Sequence, residues 1–94
     1  MPSILQRIRQ KILQNQFVFS SHAIDEMIED EIRPFDVAEV KKCLLSGSIR
    51  KREIDVNGTK YTISGKISDG WLIEVVVRFR QDGKLLIITN YTVE

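Results

Sequence analysis

The sequence predicts an α+β fold in which two to three N-terminal helices pack on one face of a four-stranded antiparallel meander. In the first half of the chain, apolar residues recur at intervals of three or four, as on one side of an amphipathic helix. After Gly47 the interval changes to two, which is typical of strands with one buried face. We therefore expect a single domain over residues 1–94, with a helical part at 3–46 and a sheet at 49–93.

The first predicted helix begins after Ser3. Ser3 and Gln6 form the pattern of a capping box, in which each side chain accepts a hydrogen bond from the other residue's backbone N–H group. Apolar residues at helical spacing continue to about Gln14, so we expect a helix there. Phe17 and Phe19 follow as a short extended apolar link.

Pro34 separates the second and third predicted helices. Ser20 or Ser21 can cap the second helix by accepting from a free backbone N–H group. Pro34 suits the first position of the third helix, and Gly47 suits its C-terminal end. The apolar positions that we expect the second helix to bury are Ala23, Ile24, Met27 and Ile28.

Four strands are predicted, at 49–56, 59–67, 71–80 and 84–93. Asn57 and Gly58 suit a two-residue type I′ turn between the first two strands. The lengths of the next two loops follow from the alternation of side chains, because a register shift of one residue would move every side chain of a strand to the opposite face of the sheet. Three-residue loops at 68–70 and 81–83 place apolar residues opposite each other: Val75 with Ile63, Val77 with Ile87 and Phe79 with Leu85. The strand at 84–93 is expected at an edge of the sheet.

The face of this sheet away from the helices is predicted to be basic, with Glu74 as its only acid. Like charges on neighbouring strands, such as Lys60 with Arg78, cost stability unless an anion or an acidic partner lies beside them. The face is therefore either a binding surface for a polyanion or partner, or a solvated surface over which long side chains cover apolar groups. Its cations are Lys60, Lys66, Arg78, Arg80 and Lys84.

A motif that runs through most of the chain resembles a bacterial family described as domain of unknown function 4258. It reads Phe19-Ser20-x-His22-Ala23-x-x-x-Met27, then Ile32, Asp36-Val37 and Gly47, and finally Ile87-Ile88-Thr89-x-Tyr91. Members of that family look like relatives of RelE-type toxins, so the resemblance implies helices on an antiparallel sheet whose open face meets RNA. The family pattern usually has two arginines where this chain has Glu26 and Asp30, which reverses the charge there.

Residues at both ends of the motif are candidates for metal-independent RNA cleavage. His22 can act as an acid or a base because its reference pKa of about 6.5 lies near neutrality. Thr89 and Tyr91 can orient the phosphate or share the proton transfer, with a cation from the basic face beside them. Our strand pairing places Thr89 and Tyr91 on the helix-covered face and Arg78 on the other, which argues against a complete catalytic set. His22 can instead brace the fold.

Several site classes have no support in the sequence. Cys43 is the only cysteine and lies in an apolar helical stretch, so we expect a core residue in a reducing cytoplasm. No phosphate-binding glycine motif and no Cys/His metal spacing is present, so no cofactor and no metal is predicted. No apolar run reaches transmembrane length, so no membrane partner is expected.

Three functions remain open. The first is a toxin-like module that binds RNA, the ribosome or a protein partner through the basic sheet face, without robust catalysis. The second is an active RelE-like endoribonuclease, the toxin of a toxin–antitoxin pair, with an antitoxin as its partner. The third is a homodimeric interaction protein that pairs through an exposed edge strand.

Overall fold

The computed structural model describes residues 2–93 of the chain. It contains helices α1 (Ile4–Leu13), α2 (Ser21–Glu29) and α3 (Val37–Ser46). The strands are β1 (Phe17–Phe19), β2 (Ser48–Asp55), β3 (Gly58–Lys66), β4 (Leu72–Phe79) and β5 (Leu85–Val93), with a 3₁₀ turn at Ser68–Gly70. The predicted α+β class is confirmed.

The helix caps differ from the predictions at one place. Ser3 and Gln6 form the predicted capping box, and the Ser20 hydroxyl accepts from the Ala23 N–H group at 3.0 Å. The third helix, however, begins after Asp36 rather than at Pro34, since the Asp36 carboxylate accepts from the Glu39 N–H group at 3.0 Å. A side-chain acceptor satisfies a free donor of the first turn, which a proline ring cannot do.

Helix α2 buries less than its sequence pattern predicts. Ala23 and Met27 are buried, but Ile24 and Ile28, which we expected in the core, are 41% and 62% exposed. The helix lies beside β5, with side chains bonded to that strand, and not on top of the sheet. Its contact with the rest of the protein is therefore a narrow stripe rather than a broad face.

The sheet has five strands in the order β1-β5-β4-β3-β2, one more than predicted. The extended link at Phe17–Phe19 pairs in parallel with Leu85–Ile87, while the other three pairings are antiparallel. The prediction that the last strand lies at an edge is therefore wrong for Leu85–Ile87, while beyond Ile87 no strand pairs with β5 on that side within the described residues. The first part of β5 lies between β1 and β4. The strand β1 was not predicted, because a segment of three residues is too short to show the periodicity of a strand.

The predicted register is confirmed on the first half of β5 and overturned on the second. Ile63 pairs with Val75, Val77 with Ile87 and Phe79 with Leu85, as parity required. Beyond Val77 a β-bulge shifts the register, so that Thr89 pairs with Val76 and Tyr91 with Glu74. Because an extra residue reverses the alternation of a strand, Thr89 and Tyr91 lie on the open face and not on the helix-covered face.

The core lies between helices α1 and α3 and the covered face of the sheet. Cys43 belongs to it: the side chain is fully buried, and burial together with the charge of Glu74 raises the pKa of the thiol to about 12. It is thus a packed core residue and not a nucleophile. The other fully buried members of the core are Ile8, Ile12, Ala23, Val40, Leu44, Ile63, Ile73, Val75, Val77, Leu85 and Ile87.

Candidate functional site

A polar cavity of about 570 Å³ opens on the uncovered face of the sheet. At its base the Glu74 carboxylate is almost completely buried and accepts a hydrogen bond from the Tyr91 hydroxyl at 2.8 Å. The Arg50 guanidinium donates to the other carboxylate oxygen of Glu74. The cavity is lined by Arg50, Lys51, Glu53, Thr62, Glu74, Val76, Thr89 and Tyr91.

The protonation states of Glu74 and Tyr91 are set by each other and by Arg50. Burial raises the pKa of Glu74, but the hydrogen bonds from Arg50 and Tyr91 and the charge of Arg50 outweigh it and hold the pKa below its usual range. Burial and the bond to Glu74 raise the pKa of Tyr91 to about 12. Tyr91 therefore keeps its proton at neutral pH and acts as a donor.

Glu26 brings two of the predicted catalytic residues together. Its Oε1 atom accepts a hydrogen bond from the Thr89 hydroxyl and lies 3.2 Å from Nε2 of His22. The His22 side chain is 71% exposed, so it is open to solvent while Glu26 holds one of its nitrogens. The bulge in β5 thus brings Thr89 and Tyr91 to the open face of the sheet, the face of Arg78, whereas the predicted register had them on the opposite face. His22 lies next to both through Glu26 and the cavity that it shares with Tyr91.

The acids at positions 26 and 30 also close the free edge of β5. β1 pairs only with the first three residues of β5, so the later N–H groups on that side lack a strand partner. Oε1 of Glu26 accepts from the Asn90 N–H group at 3.4 Å, and Oδ2 of Asp30 accepts from the Thr92 N–H group at 2.9 Å. Glu26 and Asp30 lie one helical turn apart, and their carboxylates are therefore spaced like the N–H groups of Asn90 and Thr92 on β5.

Asp30 ends helix α2 as well. Its Oδ1 atom accepts from the N–H groups of Ile32 at 3.0 Å and Arg33 at 3.1 Å. Burial raises the pKa of Asp30, but these bonds and those from Thr92 together outweigh it and lower the pKa below its usual value. Arginines at positions 26 and 30 cannot accept these hydrogen bonds, so the acidic pair has a structural role in this chain.

The predicted basic face carries more acid than expected. Nη2 of Arg78 donates to both carboxylate oxygens of Asp55, at 3.1 and 2.9 Å, and Nζ of Lys60 lies 3.7 Å from Oδ2 of the same residue. The prediction that Glu74 is the only acid here is wrong, because β2 adds Asp55 and Glu53 beside the cations of β3 and β4. Asp55 is the acidic partner that the opposed Lys60 and Arg78 require.

None of the five predicted binding residues, Lys60 and Arg78 included, lines the cavity. Arg80 is in the turn between β4 and β5 and pairs with Asp82 at 3.0 Å, with Lys84 in the same turn. Lys66 is exposed at the end of β3, opposite Leu72.

Sequence reasoning missed Arg50, Glu26 and Asp30 as members of the site. Arg50 reaches Glu74 because β2 has a register shift between Ile49 and Lys51, which strict alternation does not predict. For Glu26 and Asp30 the sequence indicates only a reversal of charge relative to the family pattern. Their spacing of four residues was the available signal, although it does not reveal a strand edge beside the helix.

A second cavity, of about 440 Å³, lies between α2 and the end of β5. Asn90 lines it, is fully buried and has no hydrogen-bond partner for either side-chain amide atom among residues 2–93. Within the same residues, no group of three or more His, Cys, Asp and Glu side chains is arranged to hold a metal ion. The cavity is lined by His22, Asp25, Glu26, Glu29, Asp30, Glu31, Asn90 and Tyr91.

Comparison with known proteins identifies a family but no characterised relative. The family model described as domain of unknown function (DUF4258) matches residues 19–92. No curated protein and no solved structure matches the chain. None of the helices described within residues 2–93 is long and apolar enough to cross a membrane.

Proposed function

Because the chain belongs to this family of unknown function, we propose an activity from its own geometry: it is a toxin-like module that binds single-stranded RNA through the open face of its sheet. The observation that supports this proposal is the set of cations on the open face, two of which, Arg50 and Lys51, line the cavity beside hydroxyl groups. Phosphate oxygens accept hydrogen bonds from cations and hydroxyls alike. The cations on this face outnumber its carboxylates, and they are Arg50, Lys51, Lys60, Lys66 and Arg78.

The ion pairs on this face are compatible with phosphate binding. Asp55 holds Arg78 and Lys60 in the free protein. The partly exposed pair with Lys60, at 3.7 Å, contributes about 0–1 kcal/mol, so a phosphate can replace Asp55 as the partner of Lys60 at small cost. The Arg78 side chain is only 17% exposed and donates to both oxygens of Asp55, so a phosphate has to match that contact to replace it. The relation to RelE-type toxins, in which a ribosome or an antitoxin is the partner, is part of this proposal.

Neutralising Arg78 and Lys66 should weaken binding of a short single-stranded RNA. We expect the Arg78→Gln/Lys66→Gln variant to lose about tenfold in affinity at low salt, and its plot of log affinity against log salt to be shallower by about 1.4, since each single-strand phosphate contact contributes about 0.7 to that slope. Asp55→Asn should strengthen binding, because it releases two cations. Fluorescence anisotropy at several salt concentrations measures both effects.

Lys42→Gln is the control for each of the single substitutions Arg78→Gln and Lys66→Gln, since this exposed lysine lies on α3, away from the open face. It removes one positive charge and should change the affinity by less than about twofold. Binding that does not depend on salt, or that falls equally in the control variant, contradicts the proposal.

Active cleavage of RNA is the second candidate, and the contact between His22 and Glu26 favours it. A carboxylate at 3.2 Å can fix the orientation of the imidazole ring, as in other acid–base pairs. Thr89 and Tyr91 lie beside this pair, and Arg50 and Lys51 line the same cavity as those two residues. This proposal assigns proton transfer to His22 and phosphate binding to the cavity cations.

His22→Ala should abolish cleavage while leaving the fold intact. If the nuclease proposal is right, we expect a loss of about 100-fold or more in the rate of RNA cleavage, which is the usual contribution of general acid–base catalysis. Asp25→Asn, three residues along the same helix, is the control. If the wild-type protein cleaves RNA and His22→Ala cleaves it at the same rate, His22 takes no part in the chemistry.

Dimerisation through a sheet edge has weaker support. The long free edge is β2, all of whose residues are exposed. It carries a register shift at Arg50 and three consecutive cations, Arg50, Lys51 and Arg52, which are features that discourage strand pairing between molecules.

A further inference from the structure

We propose that the cavity on the open face of the sheet binds one unpaired nucleotide of the RNA, with its base on the Tyr91 ring and its phosphate on Arg50 and Lys51. This inference rests on the proposed RNA binding and names the part of the RNA that the cavity selects. The cavity volume of about 570 Å³ lies within the range of roughly 300–1,000 Å³ that is usual for sites of drug-sized ligands. One nucleotide is a ligand of that size.

The cavity arises because a row of mostly short side chains crosses the sheet. The row consists of Lys51, Thr62, Val76 and Thr89, which pair in turn across β2, β3, β4 and β5. The next row along the strands carries the longer side chains of Glu74 and Tyr91, which pair with each other. Because neighbouring strands lie about 4.8 Å apart, the first row extends about 14 Å from β2 to β5. The floor is therefore a depression with cations at one end and a tyrosine at the other.

Arg50 and Lys51 supply the phosphate-binding end of the depression. Arg50 donates to Glu74 through Nη1, and its side chain is 65% exposed, so its other N–H groups can donate to a phosphate. Lys51 pairs with Glu53 at 3.4 Å, and both side chains are exposed, so this ion pair competes only weakly with a phosphate. A guanidinium forms bidentate hydrogen bonds with a phosphate, which favours Arg50 as the main contact.

Tyr91 supplies a surface on which a base can stack. The residue is 38% exposed, and Val76 adds aliphatic surface to the same lining. Unpaired bases stack on aromatic side chains, whereas the bases of a duplex are already stacked on each other. Tyr91 also borders the second cavity, whose five carboxylates repel a phosphate. The base therefore takes the β5 end of the depression and the phosphate takes the β2 end.

Glu74 holds both ends of this site in position. Its carboxylate accepts hydrogen bonds from the Tyr91 hydroxyl at 2.8 Å and from Arg50, and the residue is almost completely buried. A ligand therefore meets Tyr91 and Arg50 rather than the carboxylate itself. Because both side chains are ordered before binding, less conformational entropy is lost when the nucleotide binds.

The test is an NMR titration of the full-length protein with adenosine 5′-monophosphate. Ribose 5-phosphate, which lacks the base, and adenosine, which lacks the phosphate, are the comparison ligands. We expect saturable shifts of the backbone amide signals of Val76 and Thr89 with the nucleotide. Each comparison ligand should bind at least about fivefold more weakly, since base stacking and the phosphate contacts each contribute a factor of that size.

Tyr91→Leu replaces the aromatic ring by an aliphatic side chain. We expect it to weaken binding of the nucleotide at least about fivefold while ribose 5-phosphate stays within about 1.5-fold of wild type, a difference that a general loss of structure would not produce. Tyr91→Phe keeps the ring and should stay within about threefold of wild type. Trp71→Leu is the matched control, because Trp71 is exposed to nearly the same extent, 37%, and does not line the cavity.

Equal affinity for the nucleotide and ribose 5-phosphate, no saturation with the nucleotide, or an equal loss in Trp71→Leu overturns this inference. Adenosine that binds as tightly as the nucleotide also overturns it, because the phosphate then has no contact with Arg50 and Lys51. The proposed function fails on a different result, since it requires RNA binding that weakens with salt. Salt-dependent RNA binding together with equal affinity for the two phosphates therefore overturns only the nucleotide site.

Discussion

Replacing Gly47 by alanine should destabilise the protein by about 3 kcal/mol, because the site has no room for a methyl group. A Cβ atom there would lie 2.4 Å from the Ser64 carbonyl oxygen and 2.6 Å from that of Cys43. Both neighbours are backbone atoms, so neither can move without shifting α3 against β3. Urea denaturation with far-ultraviolet circular dichroism measures the loss as a lower midpoint at unchanged slope.

Ser48→Ala provides the control for this prediction. Ser48 is the next residue, begins β2 and is exposed, so we expect its free energy of unfolding to change by less than about 0.5 kcal/mol. The dihedral angles of Gly47 are −82° and −175°, which an alanine can adopt. A large loss at Gly47 therefore reports steric crowding and not backbone strain, and equal stability of the two variants would contradict the contact.

Asp30→Ala should be the second strongly destabilising substitution, with an expected loss of about 2–3 kcal/mol. The change leaves the N–H groups of Ile32, Arg33 and Thr92 without their acceptor, and hydrogen bonds to a charged group contribute more than neutral ones. Asp25→Ala, an exposed acid on the same helix, should cost less than about 0.5 kcal/mol. Thermal and urea unfolding of both variants decide the comparison.

The same residue should give the protein an acid-sensitive stability. The folded pKa of Asp30 is below its ordinary value of 3.8, so its stabilising contribution is complete above about pH 4 and is lost as the pH falls through the folded value. Glu74 also stabilises the fold less as the pH falls, because its pKa is lowered in the folded protein as well. Asp30→Asn should therefore lose less stability than wild type between pH 4 and pH 2. An identical decline in both proteins would show that Asp30 is not the group responsible.

The extra residue in β5 decided how much of the candidate site could be predicted, because it shifts the register of that strand against β4. Parity from Ile73 to Ile87 correctly placed the apolar side chains under the helices, because a wrong register there would bury lysines, whereas Trp71 is 37% exposed. After Ile87 both faces of the strand carry polar or mixed residues, and no burial penalty distinguishes one register from the other. The bulge in that region moves Thr89 and Tyr91 to the open face, where they meet Glu74 and Glu26.

The sequence by itself determined the fold class, the helix cap at Ser3, the register of β3 with β4 and of β4 with the first part of β5, and the burial of Cys43. It did not determine the first hairpin, which turns at residues 56–57 and not at Asn57-Gly58, since Asp55 pairs with Gly58. The features that it determined depend on local hydrogen bonds or on the separation of apolar from charged side chains, and both are encoded by near neighbours in the chain. Only the tertiary structure decided that Phe17–Phe19 completes the sheet, that Glu26 and Asp30 close the edge of β5 and that Asp55 pairs with Arg78. The physical reason is that each of these contacts joins segments more than twenty residues apart, through single hydrogen bonds or ion pairs that leave no periodic pattern in the sequence.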